Sequence, residues 1–193
     1  MNIFVLDSDV KKAAQAHADK HVVKMLLEAC QLLYTAHWFF AYPQLEQYKA
    51  AIQLSIAQKK LSIPQSMISA PPSLTRPDEQ GFRPVHIHHP CAKWVRESIE
   101  NYRFCSLLAI ELSNEFSYRY PKKGAHECEH HAHWLLSNPP PGIPNTNQTS
   151  FVLAMDDIFK TDDPIESYRN YYQVSKRERG LLQYKVRPPP DWL

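Results

Sequence analysis

The chain has 193 residues, enough for one sizeable hydrophobic core and one domain. With 44% hydrophobic and 22% charged residues it is not a disordered polyampholyte, and a net charge of +2 excludes a polycation. Any nucleic-acid site must therefore come from local clustering of basic groups. Glycine is scarce at 4 and proline abundant at 16, a balance that predicts helices joined by proline-rich connections. Four cysteines, Cys30, Cys91, Cys105 and Cys128, are scattered without a CxxC pair. Cys30 and Cys105 stand in apolar helical contexts and are expected to be buried thiols. The opening apolar run is too short for a secretory signal, and no stretch is long enough to span a membrane. A soluble, cytoplasmic protein of a reducing compartment is expected, with no membrane partner.

In chain order, Asn2–Leu6 is a short β-like run, and any of Asp7, Ser8 or Asp9 can cap the helix that follows. That helix is expected as one Pro- and Gly-free run from about Asp9 to Phe40, ending before Pro43. A second helical segment is expected over about 44–60. Residues 61–90 are proline-rich with a lone Gly81 and read as a long loop, of the kind that is often functional. Pro90 is a good first helical residue for a third helix running to about Tyr120, stopped by Pro121 to Gly124. A shorter helix is expected over about His126–Leu136, then a loop region over 137–163. A last helix should run from Pro164 to about Arg179, capped by Asp162 or Asp163. Residues 186–193 form an extended tail anchored by Trp192. The fold class is mainly α: a single-domain helical bundle over 1–193 with long proline-rich loops and at most a short N-terminal strand.

Four constellations could carry chemistry. On the first long helix, His17, Lys20, His21, Lys24, Glu28, Gln31 and Thr35 fall on one stripe about 100° wide, while the rest of the circumference is apolar. A narrow polar line on a helix that otherwise wants burial is expected to face a cleft. Its groups suit acid–base work, with Glu28 the strongest candidate, since a carboxylate in an apolar helix must be paired or protonated. The alternative is a solvated face with an ordinary Lys24–Glu28 pair. His17 and His21 form a bare HxxxH which, with Glu28 or an imidazole from 86–89, could hold one transition metal. Otherwise no cofactor is expected.

The second constellation, His86 to Pro90, places three imidazoles before a helix, where they could bind an anion or a metal, or simply form a polar loop. The third, Glu127 to His133, has metal-like content without a strong spacing; His126, His130 and His133 share one helical face. The fourth interleaves Tyr168, Tyr171, Tyr172 and Tyr184 with Arg169, Lys176, Arg177, Arg179, Lys185 and Arg187. That mixture suits nucleic acid, because cations neutralise phosphates and tyrosines stack on bases. Packing by tyrosine with snorkelling cations is the competing reading.

Two resemblances follow from these residues. MNIFVLD (1–7), HADKHVVKMLLE (17–28), HHPCAKWVRESIENY (88–102), SYRNYY (167–172) and RPPPDW (187–192) resemble the shared motifs of a group of small, mostly phage-borne proteins. That likeness spans nearly the whole chain, yet does not itself name a reaction. The first helix also resembles that of the endonuclease V-type pyrimidine-dimer DNA glycosylases, small helical enzymes with a DQH-type step and a catalytic Glu seven residues after the His. Here Asp19-Lys20-His21 and Glu28 hold that spacing. This resemblance implies an amine nucleophile at the N-terminus that forms a Schiff base with the sugar, and a Glu that assists ring opening and strand cleavage. The chain departs from the family in having Asn at position 2 rather than a small Thr, so the amine would be that of Met1, or a lysine of the stripe, Lys20 or Lys24.

Together these features suggest a DNA-acting enzyme, a glycosylase that cleaves an N-glycosyl bond at a damaged or modified pyrimidine, with an associated AP-lyase step. Glu28, His21, His17 and Lys24 are the expected catalytic groups. His88, His89, Arg96, Arg169, Tyr172, Lys176 and Arg177 are expected to bind substrate or phosphate, and the 61–90 loop to act as wedge or lid. A metal-dependent enzyme using His17, His21 and Glu28 on nucleotides or modified bases is one alternative. A non-catalytic nucleic-acid-binding accessory protein is the other.

Overall fold

A computed structural model describes residues 1–48 and 60–193. Among the described residues there are six α-helices and no β-strand: α1 Val10–Ala16, α2 Asp19–Ala41, α3 Pro90–Glu97, α4 Ile99–Arg119, α5 Glu129–Ser137 and α6 Pro164–Tyr171. The mainly α reading holds. Residues 2–6 are extended but pair with no strand, and all five are buried. The helix expected over 44–60 falls largely outside the described residues; Pro43–Gln47 forms a 3-10 turn.

Asp9 caps α1 through Lys11 and Lys12, and Asp163 caps α6 through Ile165, both within the expected positions. Two expected helices are each broken into two. The run from Asp9 to Phe40 is interrupted at His17-Ala18, whose ψ angles of 136° and 157° are extended. No Pro or Gly marks that break. The freed polar groups find tertiary partners instead: Ala18 N–H donates to the Tyr172 hydroxyl at 3.1 Å, and Asp19 N–H to the Gln183 carbonyl at 2.9 Å. The run from Pro90 to Tyr120 breaks at Ser98, which is extended and caps α4 by accepting from Asn101 N–H at 3.0 Å.

α2 and α4 are the central pair. α1, α3 and α5 all pack on α4, and α3 and α5 also touch α2. Burial runs almost all round α2, through Val22, Met25, Leu26, Cys30, Leu33, Tyr34 and Trp38. All four cysteines are buried free thiols, as expected for Cys30 and Cys105. The 61–90 segment packs closely on α2. Trp38 Nε1 donates to the Phe82 carbonyl at 2.9 Å, and Thr35 Oγ1 accepts from Val85 N–H at 3.1 Å. Gly81 has φ of 63°, and a Cβ there would lie 2.5 Å from the Tyr34 ring, so only glycine fits. The segment expected as a wedge or lid is thus a packed side of the core, and it carries His86–His89 to the start of α3.

Arg119, at the end of α4, holds the α1–α2 break. Its guanidinium donates to the carbonyls of Gln15 (2.9 Å) and His17 (2.8 Å) and to the carboxylates of Asp19 (2.9 Å) and Glu115 (2.7 Å). Glu115 also accepts both arms of Arg187, while Asp19 accepts from Lys185 N–H at 3.0 Å. Two carboxylates and two guanidiniums thus neutralise one another while pinning the C-terminal tail to α1, α2 and α4. Arg119 itself is only 4% exposed. Removing one member of such a buried network leaves charges without partners, at a cost of about 3–5 kcal/mol. Arg119→Met should lower the unfolding free energy by about that amount in urea titration. Arg119→Lys should rescue little of it, since an ammonium has neither the reach nor the planar fork for four acceptors.

Candidate functional site around Glu28

The N-terminal segment meets the polar stripe of α2 at Glu28. Glu28 is 8% exposed. Its Oε2 accepts from Asn2 N–H at 2.9 Å and lies 3.8 Å from the Met1 α-amine. Its Oε1 lies 3.4 Å from Lys24 Nζ, whose side chain is 68% exposed, so that contact is a weak surface pair. One buried carboxylate therefore faces two amines, one sheltered and one solvated.

Asn2 fixes the sheltered one. Its Oδ1 accepts from Ile3 N–H at 2.8 Å, the Tyr168 hydroxyl at 3.0 Å and the Cys91 thiol at 3.4 Å, while its Nδ2 donates to the Ala154 carbonyl at 2.9 Å. Asn2 thereby gathers α3, α6 and the 150–155 segment around the chain start. Asn2 is the residue that places Met1 beside Glu28. In the sequence Asn2 stands out only as a departure at position 2 and Tyr168 only among the tyrosines of the basic segment, so neither is an expected site residue; a polar residue opening a buried β-like run is the available signal.

His89 adjoins this group. It caps α3, its Nδ1 accepting from Cys91 N–H at 3.1 Å, and its ring lies 6.4 Å from that of His86. Burial lowers its pKa, and the Met1 amine and His86 lower it further. Cys91 is raised to about 11 by burial. His86 is exposed and has a φ of 47°, a left-handed conformation that costs a non-glycine residue on the order of 1–3 kcal/mol. His88 turns elsewhere, its Nε2 donating to the Tyr48 carbonyl at 2.9 Å.

The other expected catalytic residues form a separate aromatic cluster about Phe4. His17, outside α2 because of the break, is fully buried. Its Nδ1 donates to the Ala13 carbonyl at 2.7 Å, and its Nε2 has no partner among the described residues. His21 Nδ1 accepts from the Tyr172 hydroxyl, which itself accepts from Ala18 N–H. Burial pulls His17 down to about 4 and His21 to about 3, so both are neutral at physiological pH. Neither imidazole is brought to Glu28. Among the described residues no three His, Cys, Asp or Glu side chains gather as a metal requires, so the His17/His21/Glu28 ligand set is corrected. The Glu127–His133 stretch is likewise not a cluster. His131 is buried and bonded to the Tyr34 hydroxyl at 2.8 Å, His130 and His133 are exposed, and His126 precedes the helix and accepts from Cys128 N–H at 3.0 Å.

The basic, tyrosine-rich segment is split: Arg177, Arg179 and Lys185 are exposed, while part of it faces inward. Tyr168 and Tyr172 are completely buried. A π-turn over Tyr172–Lys176 carries Lys176 inside too, where its ammonium donates to the Tyr171 hydroxyl at 2.8 Å and lies 5.3 Å from the Phe4 ring. Tyr172 and Lys176 are therefore corrected from substrate contacts to packing residues. Arg169 binds the Leu6 carbonyl at 2.9 Å and Asp7 at 3.2 Å under Trp192. Arg96 is buried, donating to the Ile87 carbonyl at 2.8 Å beneath Phe39. Arg177 is exposed and donates to the Leu193 carbonyl at 2.6 Å. Of the expected substrate-binding residues, His89 feels the charges of Glu28 and the Met1 amine.

Comparison of the chain with protein-family models, with curated proteins and with solved structures gives no match.

Two stability measurements follow from this geometry. Asn2→Leu strands Ile3 N–H and the Ala154 carbonyl, while the Tyr168 hydroxyl keeps the Val152 carbonyl, and should cost about 2 kcal/mol. Glu28→Gln keeps an acceptor for Asn2 N–H and should cost about 1 kcal/mol or less. Thermal unfolding should rank them in that order.

A second expectation concerns pH. His17, His21, His37 and His131 all have folded pKa values pulled down to about 3 or 4 by burial. An unfolded histidine takes its proton near pH 6.5, so below that the unfolded state binds more protons and is favoured. Stability should be at its plateau above pH 7 and fall from about 6.5 to 4, by roughly 1 kcal/mol per histidine for each pH unit. His17→Leu should flatten that fall in Tm measured against pH.

Proposed function

We propose that the Met1–Glu28 pair is the reactive centre of a DNA glycosylase with AP-lyase activity acting on damaged or modified pyrimidines. The observation that carries this reading is a sheltered α-amine 3.8 Å from a buried carboxylate, held there by the fully bonded side chain of Asn2. A deprotonated α-amine is a nucleophile toward a sugar carbon. Fixing it in place removes the entropy of aligning it with the sugar.

In the proposed reaction the amine lone pair forms a bond to C1′ as the N-glycosyl bond breaks, its electrons leaving on the base nitrogen, which takes a proton. The C1′–O4′ bond then opens as nitrogen and C1′ form a Schiff base. The amine gives up two protons, one to the departing base nitrogen and one to O4′; in this reading Glu28 carries the second. Loss of a C2′ proton expels the 3′-phosphate, and water frees the amine. Lys24, at 3.4 Å on the other carboxylate oxygen, supplies a nearby positive charge for the DNA backbone. The partner would be a nucleic acid presenting an extruded nucleotide.

The test is borohydride reduction of the protein with abasic-site DNA, which converts a Schiff base into a stable adduct. The N-terminal mass is measured first, so that the amine's identity is known. An adduct on the Met1 peptide is expected, and it should persist in Lys24→Arg. Glu28→Gln should retain the fold and DNA binding and lose about 10²-fold or more in turnover. An adduct confined to Lys24 would move the nucleophile; no adduct, or a fully active Glu28→Gln, would defeat the reading.

A further inference from the structure

We infer that His89 is a substrate-positioning residue of this centre, working as a neutral hydrogen-bond donor to a phosphate oxygen of the processed nucleotide. The inference rests on the reading of Met1 and Glu28 given above and extends it from the reacting sugar to its phosphate.

The argument starts from a cap. Helix N-caps favour Asn, Asp, Ser and Thr, whose short side chains reach a free backbone N–H. In α3 that position holds His89, and the acceptor for Cys91 N–H is imidazole Nδ1 at 3.1 Å. An imidazole nitrogen that accepts carries no proton, so in the neutral ring the proton resides on Nε2. The cap thus fixes the tautomer and leaves one donor over, on the far side of the ring. A capping function alone does not need that second nitrogen.

The ring's location gives the spare donor its use. Cys91, whose N–H holds Nδ1, sends its thiol to Asn2 Oδ1 at 3.4 Å, so the His89 cap is bonded through one residue to the residue that places Met1. His89 is only half-buried, leaving a side open to a ligand. His86 lies 6.4 Å away on a backbone bent into the left-handed region, a strain that such segments often carry at binding sites. The Met1 amine, His86 and Glu28 act on His89 through their charges, and Cys91 N–H meets its Nδ1. Burial and the neighbouring amine disfavour an imidazolium. Anion binding by protonated histidines, expected from sequence, is therefore replaced by donation from a neutral Nε2–H. The cationic share falls to Met1 and Lys24.

The cap supplies the control. His89→Asn and His89→Ser each retain an acceptor for Cys91 N–H, and each lacks a donor at the position of Nε2. Both should unfold within about 2 °C of the wild-type Tm, showing that α3 is still capped. In single-turnover borohydride trapping on abasic-site DNA, both should need about tenfold or more DNA for half-saturation. The trapping rate at saturating DNA should stay within about twofold of wild type, because the amine and carboxylate are untouched. Wild-type half-saturation in both variants would overturn the inference while leaving the glycosylase reading intact. A fall in the saturated rate alone would also overturn it, since it would assign His89 to the chemical step. No adduct from the wild-type protein would overturn the underlying reading and this inference with it.

Discussion

Arg119 sits almost wholly out of water and is bonded to Gln15, His17, Asp19 and Glu115. A guanidinium so placed is stable only if every neighbour stays in position, because its desolvation is offset by the full set of acceptors and not by any one of them. Two of those acceptors exist only because α1 and α2 are separate helices. In a continuous helix the Gln15 and His17 carbonyls would bond within the helix. The break at His17-Ala18, the end of α4 and the docking of residues 183–187 are thus one cooperative arrangement. Its consequence for the site is indirect but large. The break takes His17 out of the α2 stripe, and the docked C-terminal region brings Tyr172 to Ala18 and His21.

Once Tyr172 and Phe4 occupy the upper part of the stripe, only its lower part is left for chemistry. There Glu28 meets the chain start instead of a second helix. A carboxylate buried beside a backbone N–H and an amine has its acceptor needs met, so the site is stable without substrate. Lys24, on the solvent side of Glu28, offers charge without order, while Met1, held by Asn2, offers order. Stability and proposed chemistry therefore depend on the same few bonds of Asn2.

Histidines are put to two different uses in this fold. His17, His21, His37 and His131 are core residues, kept neutral by burial and bonded to carbonyl or hydroxyl groups. His86 and His89 stand at the edge of the Glu28 site, one strained and one locked in a single tautomer. The same residue type gives packing in the core and a helix cap at the start of α3.

Much of the architecture was legible because helices follow local rules. The Asp9 and Asp163 caps, Pro90 and Pro164 at the first helical turns, and the apolar girth of α2 are set by residues within a few positions of one another. Glu28 was legible for the same reason: a carboxylate in so apolar a helix requires a partner. What that partner is was not legible, because Asn2 lies 26 positions from Glu28 and 166 from Tyr168 in the chain and meets them only through packing. The break at His17-Ala18 carries no Pro or Gly signal, since bonds to Arg119, Tyr172 and Gln183 create it. Likewise, a run of tyrosines and cations reads the same whether it faces DNA or the core. Tertiary structure turned Tyr172 and Lys176 inward and left His89 beside the amine, because local sequence sets which atoms can bond and only the fold sets which of them meet.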